Sequence, residues 1–197
     1  MKRFYQIVGI CGFILVILSV LPLFAFWREF ENSMAGSFNS TIIMSTAVLV
    51  LEIALYAGFI ALSLKNKNRL LFYSAILLIF FSLCDFGLIF LSNVINEGRL
   101  VYVISQTTNF SMAILIALVG FALMDFVDKI GSSALVSGIL YIITGVIFLV
   151  LGILPGLAND QITKFFFMLA KLTLSVLTNV FVGVFFLYIA TKKKLYK

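Results

Sequence analysis

The chain has no histidine, two cysteines and two prolines among its 197 residues, and only 11% of it is charged. Each shortage closes off a class of chemistry. Without histidine there is no bis-histidine haem, no histidine-ligated zinc site and no serine–histidine triad. Cys11 falls early in the first apolar run and Cys84 late in the third. No CxxC exists, and the two thiols are expected at opposite depths, too far apart to bridge. No metal site, cofactor or catalytic set is therefore predicted.

Apolar residues dominate instead. The chain is 63% hydrophobic, with a mean hydropathy of +1.20, far outside the balance of a soluble domain. Continuous apolar runs fall at about 5–27, 41–64, 70–92, 103–124, 132–154 and 165–190. A helical span needs roughly 20 such residues, so 1–197 reads as a single transmembrane domain. The runs are unbroken rather than alternating, which excludes a barrel and leaves helices to satisfy the backbone in lipid. The predicted fold is all-α: a six-helix bundle with short loops. An alternative start for the last span lies at Leu172, with 160–171 interfacial.

The first run, after Met1-Lys2-Arg3, has the basic start and apolar core of a signal peptide. No A-x-A-like cleavage site follows it, so it is read as a retained helix with Trp27 at the interface. Six spans put Lys2, Arg3, Lys65, Lys67, Arg69, Lys129 and the four lysines of 192–197 on one side, against Arg28, Arg99 and Lys164 on the other. Ten against three predicts that both termini are cytoplasmic, and the expected location is a bacterial cytoplasmic membrane, crossed several times. The net charge of +6 is thereby explained by anionic headgroups, without nucleic acid.

Two short stretches fall near known membrane-enzyme motifs without meeting them. DFVDKIG (125–131) has the two aspartates of the D-x-x-D-G start of CDP-alcohol phosphotransferases, but its glycine is displaced and the downstream acidic pair is missing. CDFG (84–87) offers one aspartate where an intramembrane aspartyl protease needs two. Asp125 and Asp128 are expected to be solvated at a helix end.

Three charges remain inside the spans, where each costs roughly 2.5–3.5 kcal/mol at the centre on insertion scales. Lys171, in MLAKLTL, is seven residues in from Lys164, and Asp85 is seven from Ser92 at the same surface, so both lie roughly 10 Å deep. They form the predicted structural ion pair. Glu52, eleven residues from Thr41, lies roughly 16 Å deep, and nothing in the sequence pairs with it.

Spacing places these charges on polar stripes. Thr41, Ser45, Glu52, Tyr56 and Ser63 share one face; Ser74, Asp85 and Ser92 another; Lys171, Ser175, Thr178, Asn179 and Gly183 a third; Gln106, Asn109, Ala113 and Gly120 a fourth. Such faces point into a bundle, as packing glue or as the wall of a cavity. Glu52, Tyr56, Asn109 and Asn179 are the candidate ligand-binding or ion-binding residues, because a surplus acid near the midplane is common in cation pathways.

Residues 12–22 (GFILVILSVLP) and 145–155 (GVIFLVLGILP) align with Gly first and Pro last, a weak parallel repeat or two outer-end helix stops at Pro22 and Pro155. Length and six-span layout are similar to those of the substrate-binding components of energy-coupling-factor vitamin transporters. The A-x-x-x-A pattern expected on their first helix is absent from IVGICGFILVILSV. The leading expectation is a protein that binds or moves a small solute, proton or cation through an intramembrane polar cavity. An assembly or immunity subunit that packs with a partner protein is the alternative, and a lipid-acting enzyme the third. Membrane lipids surround the chain in every case.

Overall fold

The computed structural model describes the backbone of residues 1–32, 38–94, 98–153 and 161–191, and the side chains of 1–20, 43–88, 101–151 and 169–191. Within these the chain is helical, with no strand: α1 (Lys2–Asn32), α2 (Phe38–Asn66), α3 (Arg69–Val94), α4 (Gly98–Met124), the single turn α5 (Val127–Ile130), α6 (Ser132–Ile153) and α7 (Gln161–Thr191). Six of these helices are long and apolar enough to cross a membrane, and the protein is an integral membrane protein. Outward-facing side chains such as Ile7, Ile17, Ile43, Val50, Phe80 and Phe121 are exposed, as lipid contact requires. The lysines of 192–197 and Pro155 lie outside the described residues, as do the side chains of Trp27, Arg28, Arg99 and Lys164.

Two readings of the helix ends change. α1 continues through Pro22 to Asn32, so this proline does not stop the helix. A backbone with no water to bond loses less by forgoing one hydrogen bond than by leaving the helix. α7 is continuous from Gln161, and Lys171 stands well inside it rather than at a helix start.

The six long helices form a ring. Each packs on its chain neighbours, and α7 returns to α1, so that the order around the ring is α1, α2, α3, α4, α6, α7. Two seams are much tighter than the rest. On the α4–α6 seam, a Cβ added to Gly120 would stand 2.6 Å from the Gly138 carbonyl oxygen, and one added to Gly145 would stand 2.6 Å from the Ala113 carbonyl oxygen. Along α1–α7, Gly9 and Gly12 meet the Gly183 backbone at 2.9 and 3.0 Å on the same measure. Apolar burial gives helices no reason to associate in lipid, so packing of this closeness supplies much of the attraction.

The end of the bundle that carries Lys2, Lys65, Lys67, Arg69 and Lys129 is closed. α2 terminates with Lys67 in the left-handed region (φ 56°) and the Asn68 amide returning to the Ser63 carbonyl at 3.1 Å, a Schellman arrangement that satisfies the helix end. The Asn68 side chain then caps α3 by accepting the Leu71 N–H at 2.9 Å, and donates to the Ala122 carbonyl at 3.3 Å and to Asp125 at 3.1 Å. Lys129 donates to the Asn66 side chain at 3.3 Å. One loop asparagine thus ties two helix hairpins together.

Beneath this latch lies an aromatic cluster. Tyr5 stacks on Phe186 at 5.9 Å between centroids, Phe186 meets Phe59 at 5.1 Å, and Phe59 meets Tyr141 edge-on at 5.7 Å. All four rings are buried. This half of the ring is solid.

The seams give the first prediction. Gly120→Val forces backbone apart and lowers stability by about 2–3 kcal/mol. Gly87→Ala, where an added Cβ meets nothing within 4 Å, leaves stability unchanged or raises it by up to about 1 kcal/mol. Denaturation in mild detergent measures both.

Candidate functional site

Away from the basic end the helices part and enclose a cavity of about 640 Å³. α2 contributes Glu52 and Tyr56, α3 Asp85, α4 Gln106 and Asn109, α6 Tyr141, Thr144 and Phe148, and α7 Lys171, Ser175, Thr178 and Asn179. The four predicted ligand residues and both members of the predicted ion pair line this one space. It extends to Leu151, two residues from the end of α6, and its floor is Tyr141, the last ring of the aromatic cluster.

The polar stripes divide by function. On α7 the polar members line the cavity while Gly183 packs on α1. On α4, Gln106 and Asn109 line it while Ala113 and Gly120 pack on α6. Packing glue and cavity wall are thus successive segments of one face. Ser63 and Ser74 are buried below, Ser63 donating to the Ile60 carbonyl at 2.7 Å, and the side chains of Thr41 and Ser92 lie outside the described residues.

Several polar groups are fixed in place. Thr144 and Thr178 share a buried hydrogen bond of 2.6 Å between α6 and α7, and interhelical bonds of this kind contribute about 0.6–2 kcal/mol in a bilayer. The Asn109 amide donates to Ser105 at 3.4 Å, leaving its carbonyl to the cavity. Glu52 is half-buried and lies within Coulombic range of Asp85, Tyr56 and Tyr141.

Asp85 and Lys171 face one another across the cavity, within Coulombic range. No nitrogen–oxygen contact within 4.0 Å joins them; the Lys171 ammonium stands over the Phe148 ring, 5.2 Å from its centroid. The reason is topological: α3 and α7 are not neighbours in the ring. Equal depth places two groups at one level, and the cavity keeps them on opposite walls. A cation over an aromatic face retains about 0.5–2 kcal/mol of attraction, which helps hold Lys171 at this depth.

A second cavity of about 310 Å³ adjoins the first between α1, α2 and α3. Glu52, Asp85 and Met112 line both, so the two carboxylates form the partition. Ser19, Ser45 and Ser82 line the smaller space. Ser82 and the α6 residues Tyr141, Thr144 and Phe148 are not singled out by the polar stripes of the sequence. The signal for Ser82 was its spacing of three from Asp85, and for the α6 set the spacings of three and four in an otherwise apolar run.

Among the described residues no three Cys, Asp or Glu side chains gather as metal ligands. The class defined by fold and site is a six-span membrane protein with a charged internal cavity. The chain matches no protein-family model, no curated protein and no solved structure.

A double-mutant cycle tests the separation of Asp85 and Lys171. Lys171→Leu, Asp85→Leu and the double variant, melted in detergent, give a coupling of about 1 kcal/mol or less, as for a solvated pair. A closed buried pair would instead cost about 3–5 kcal/mol on loss of one partner.

Proposed function

We propose that the protein binds a small positively charged, hydrogen-bonding solute in the larger cavity, as a step in moving it across the membrane. The observation that carries this is the charge count: two carboxylates, Glu52 and Asp85, face one ammonium, Lys171, in a space of about 640 Å³. When all three are ionised the cavity holds one net negative charge, which a monocation neutralises. Amide and hydroxyl groups of Gln106, Asn109, Ser175 and Asn179 supply neutral partners, and Tyr56, Tyr141 and Phe148 supply rings against which a cation is attracted.

Polarity inside and apolar side chains outside favour a binding site over a surface for the helices of another chain. With the basic loops on the cytoplasmic side of a bacterial membrane, as the positive-inside rule implies, the cavity leans toward the outer face and the aromatic cluster closes the inner one. Glu52 is the site acid; Asn109, Asn179 and Tyr56 orient the solute.

The test uses labelled choline, agmatine and tetraethylammonium as probes on protein reconstituted in liposomes. Saturable binding or uptake of at least one is expected, falling tenfold or more in Glu52→Gln, since a hydrogen bond to a charged group contributes about 1.5–3 kcal/mol. Binding and flux unchanged in Glu52→Gln overturn the assignment.

A further inference from the structure

The larger cavity is polarised. Its α2 and α3 wall carries the carboxylates of Glu52 and Asp85, and its α7 wall carries the Lys171 ammonium with the Ser175 hydroxyl and the Asn179 amide. Ser175 and Asn179 follow Lys171 at intervals of four, so all three share one face of α7. One wall accepts hydrogen bonds and the other presents donors.

Asp85 and Lys171 would neutralise one another if they met. Lys171 instead stands over the Phe148 ring, 5.2 Å from its centroid, and among the described residues neither charge has a hydrogen bond or an ion pair. Charges at this depth are costly and are ordinarily paired. Two opposite charges held apart on the walls of one cavity leave room for a molecule that pairs with both.

Glu52 is placed differently. It lies within Coulombic range of Tyr56 and Tyr141, and Tyr141 is the floor. Phe148, beneath the Lys171 ammonium, is seven residues from Tyr141 along α6, or about 10 Å further toward the open end. The cavity therefore has an outer pair of opposite charges and an inner acid beside two phenol rings. A ligand complementary to all three carries a carboxylate and an ammonium close together, with a second cation at the end of an arm. Leu55, Met112 and Ile116 line the same space and suit the apolar part of that arm. A volume of about 640 Å³ falls within the range of roughly 300–1,000 Å³ typical of small-molecule sites.

We propose that the solute is a basic amino acid: Lys171, Ser175 and Asn179 hold its α-carboxylate, Asp85 its α-ammonium, and Glu52 its side-chain cation. This rests on the proposed function, which it narrows from any small cation to one that carries its own carboxylate. The ligand's single net positive charge offsets the single net negative charge of the cavity, and each charged side chain gains a partner of opposite sign. A cation without a carboxylate leaves Lys171 unpaired, and a neutral amino acid leaves Glu52 unpaired.

Purified full-length protein in mild detergent is titrated with labelled lysine and arginine, with cadaverine and agmatine, which lack the carboxylate, and with norleucine, which lacks the side-chain ammonium. Lysine, arginine or both are expected to bind at least tenfold more tightly than the decarboxylated counterpart and than norleucine. Lys171→Met brings the preference over the decarboxylated counterpart to about one, and Lys171→Arg restores it. Glu52→Gln brings the preference over norleucine to about one. Cadaverine and agmatine bound as tightly as lysine and arginine by the unmutated protein overturn the inference and leave the proposed function standing, because a cation is still bound. Norleucine bound as tightly as lysine and arginine overturns it too, as does a preference for the carboxylate that survives Lys171→Met. Binding of none of these five probes also overturns it, and the proposed function then stands or falls on choline and tetraethylammonium.

Discussion

The close approach of helix backbones at two glycine seams is the constraint from which the remaining structure follows. Lipid already solvates the apolar faces of the helices, so a ring of six can close only where side chains are small enough for backbones to meet. Gly9, Gly12 and Gly183 provide this between α1 and α7, and Gly120, Gly138 and Gly145 between α4 and α6. Most of these glycines lie in the half of the bundle nearer the basic loops. The helices are drawn together there, and the space that remains toward the other end becomes the cavity. A larger residue at a seam would therefore disturb more than one contact, because the taper of the bundle is set by how closely those backbones meet.

The polar groups follow this taper. Where the helices are tight the interior is aromatic and aliphatic, with Phe59, Phe185, Phe186 and Leu62 fully buried. Where they part, the carboxylates of Glu52 and Asp85, the ammonium of Lys171 and the amides of α4 and α7 line the opening. A charge in hydrocarbon is costly, whereas a charge on the wall of a polar cavity keeps neighbours that solvate it. The depth of Glu52 and its tolerance by the fold are thus one fact: the helices are apart at its level.

Number, type and order of the spans were legible in the sequence because a continuous apolar run permits little else in lipid. The stripes were legible too, since 3.6-residue periodicity fixes which residues share a face. Neighbourhood was not. Helical counting assigns Asp85 and Lys171 a depth but leaves open which helix stands opposite which. The ring order, with α3 and α7 on different sides, decides that. The first-helix pattern misled for a related reason: no A-x-x-x-A is present, yet Gly9 and Gly12 form the seam at a spacing of three. On α6 the apolar run hid Tyr141, Thr144 and Phe148, because a threonine or tyrosine in such a helix costs little on either face and so carries little information.

The seams also divide the ring. α1 and α7 form one tight pair and α4 and α6 another, while the interfaces α1–α2 and α6–α7 are the loosest. Phe59 on α2 meets Phe186 on α7, and Tyr141 on α6 lies in the same stack. The Phe59–Phe186 contact joins the α1–α7 pair to the other four helices across the ring, whereas Phe59–Tyr141 lies within those four, and each glycine seam lies inside one body. Glu52 and Asp85 stand on the four-helix body and Lys171 on the pair. The distance between the acids and the lysine is therefore set by how these two bodies sit against one another.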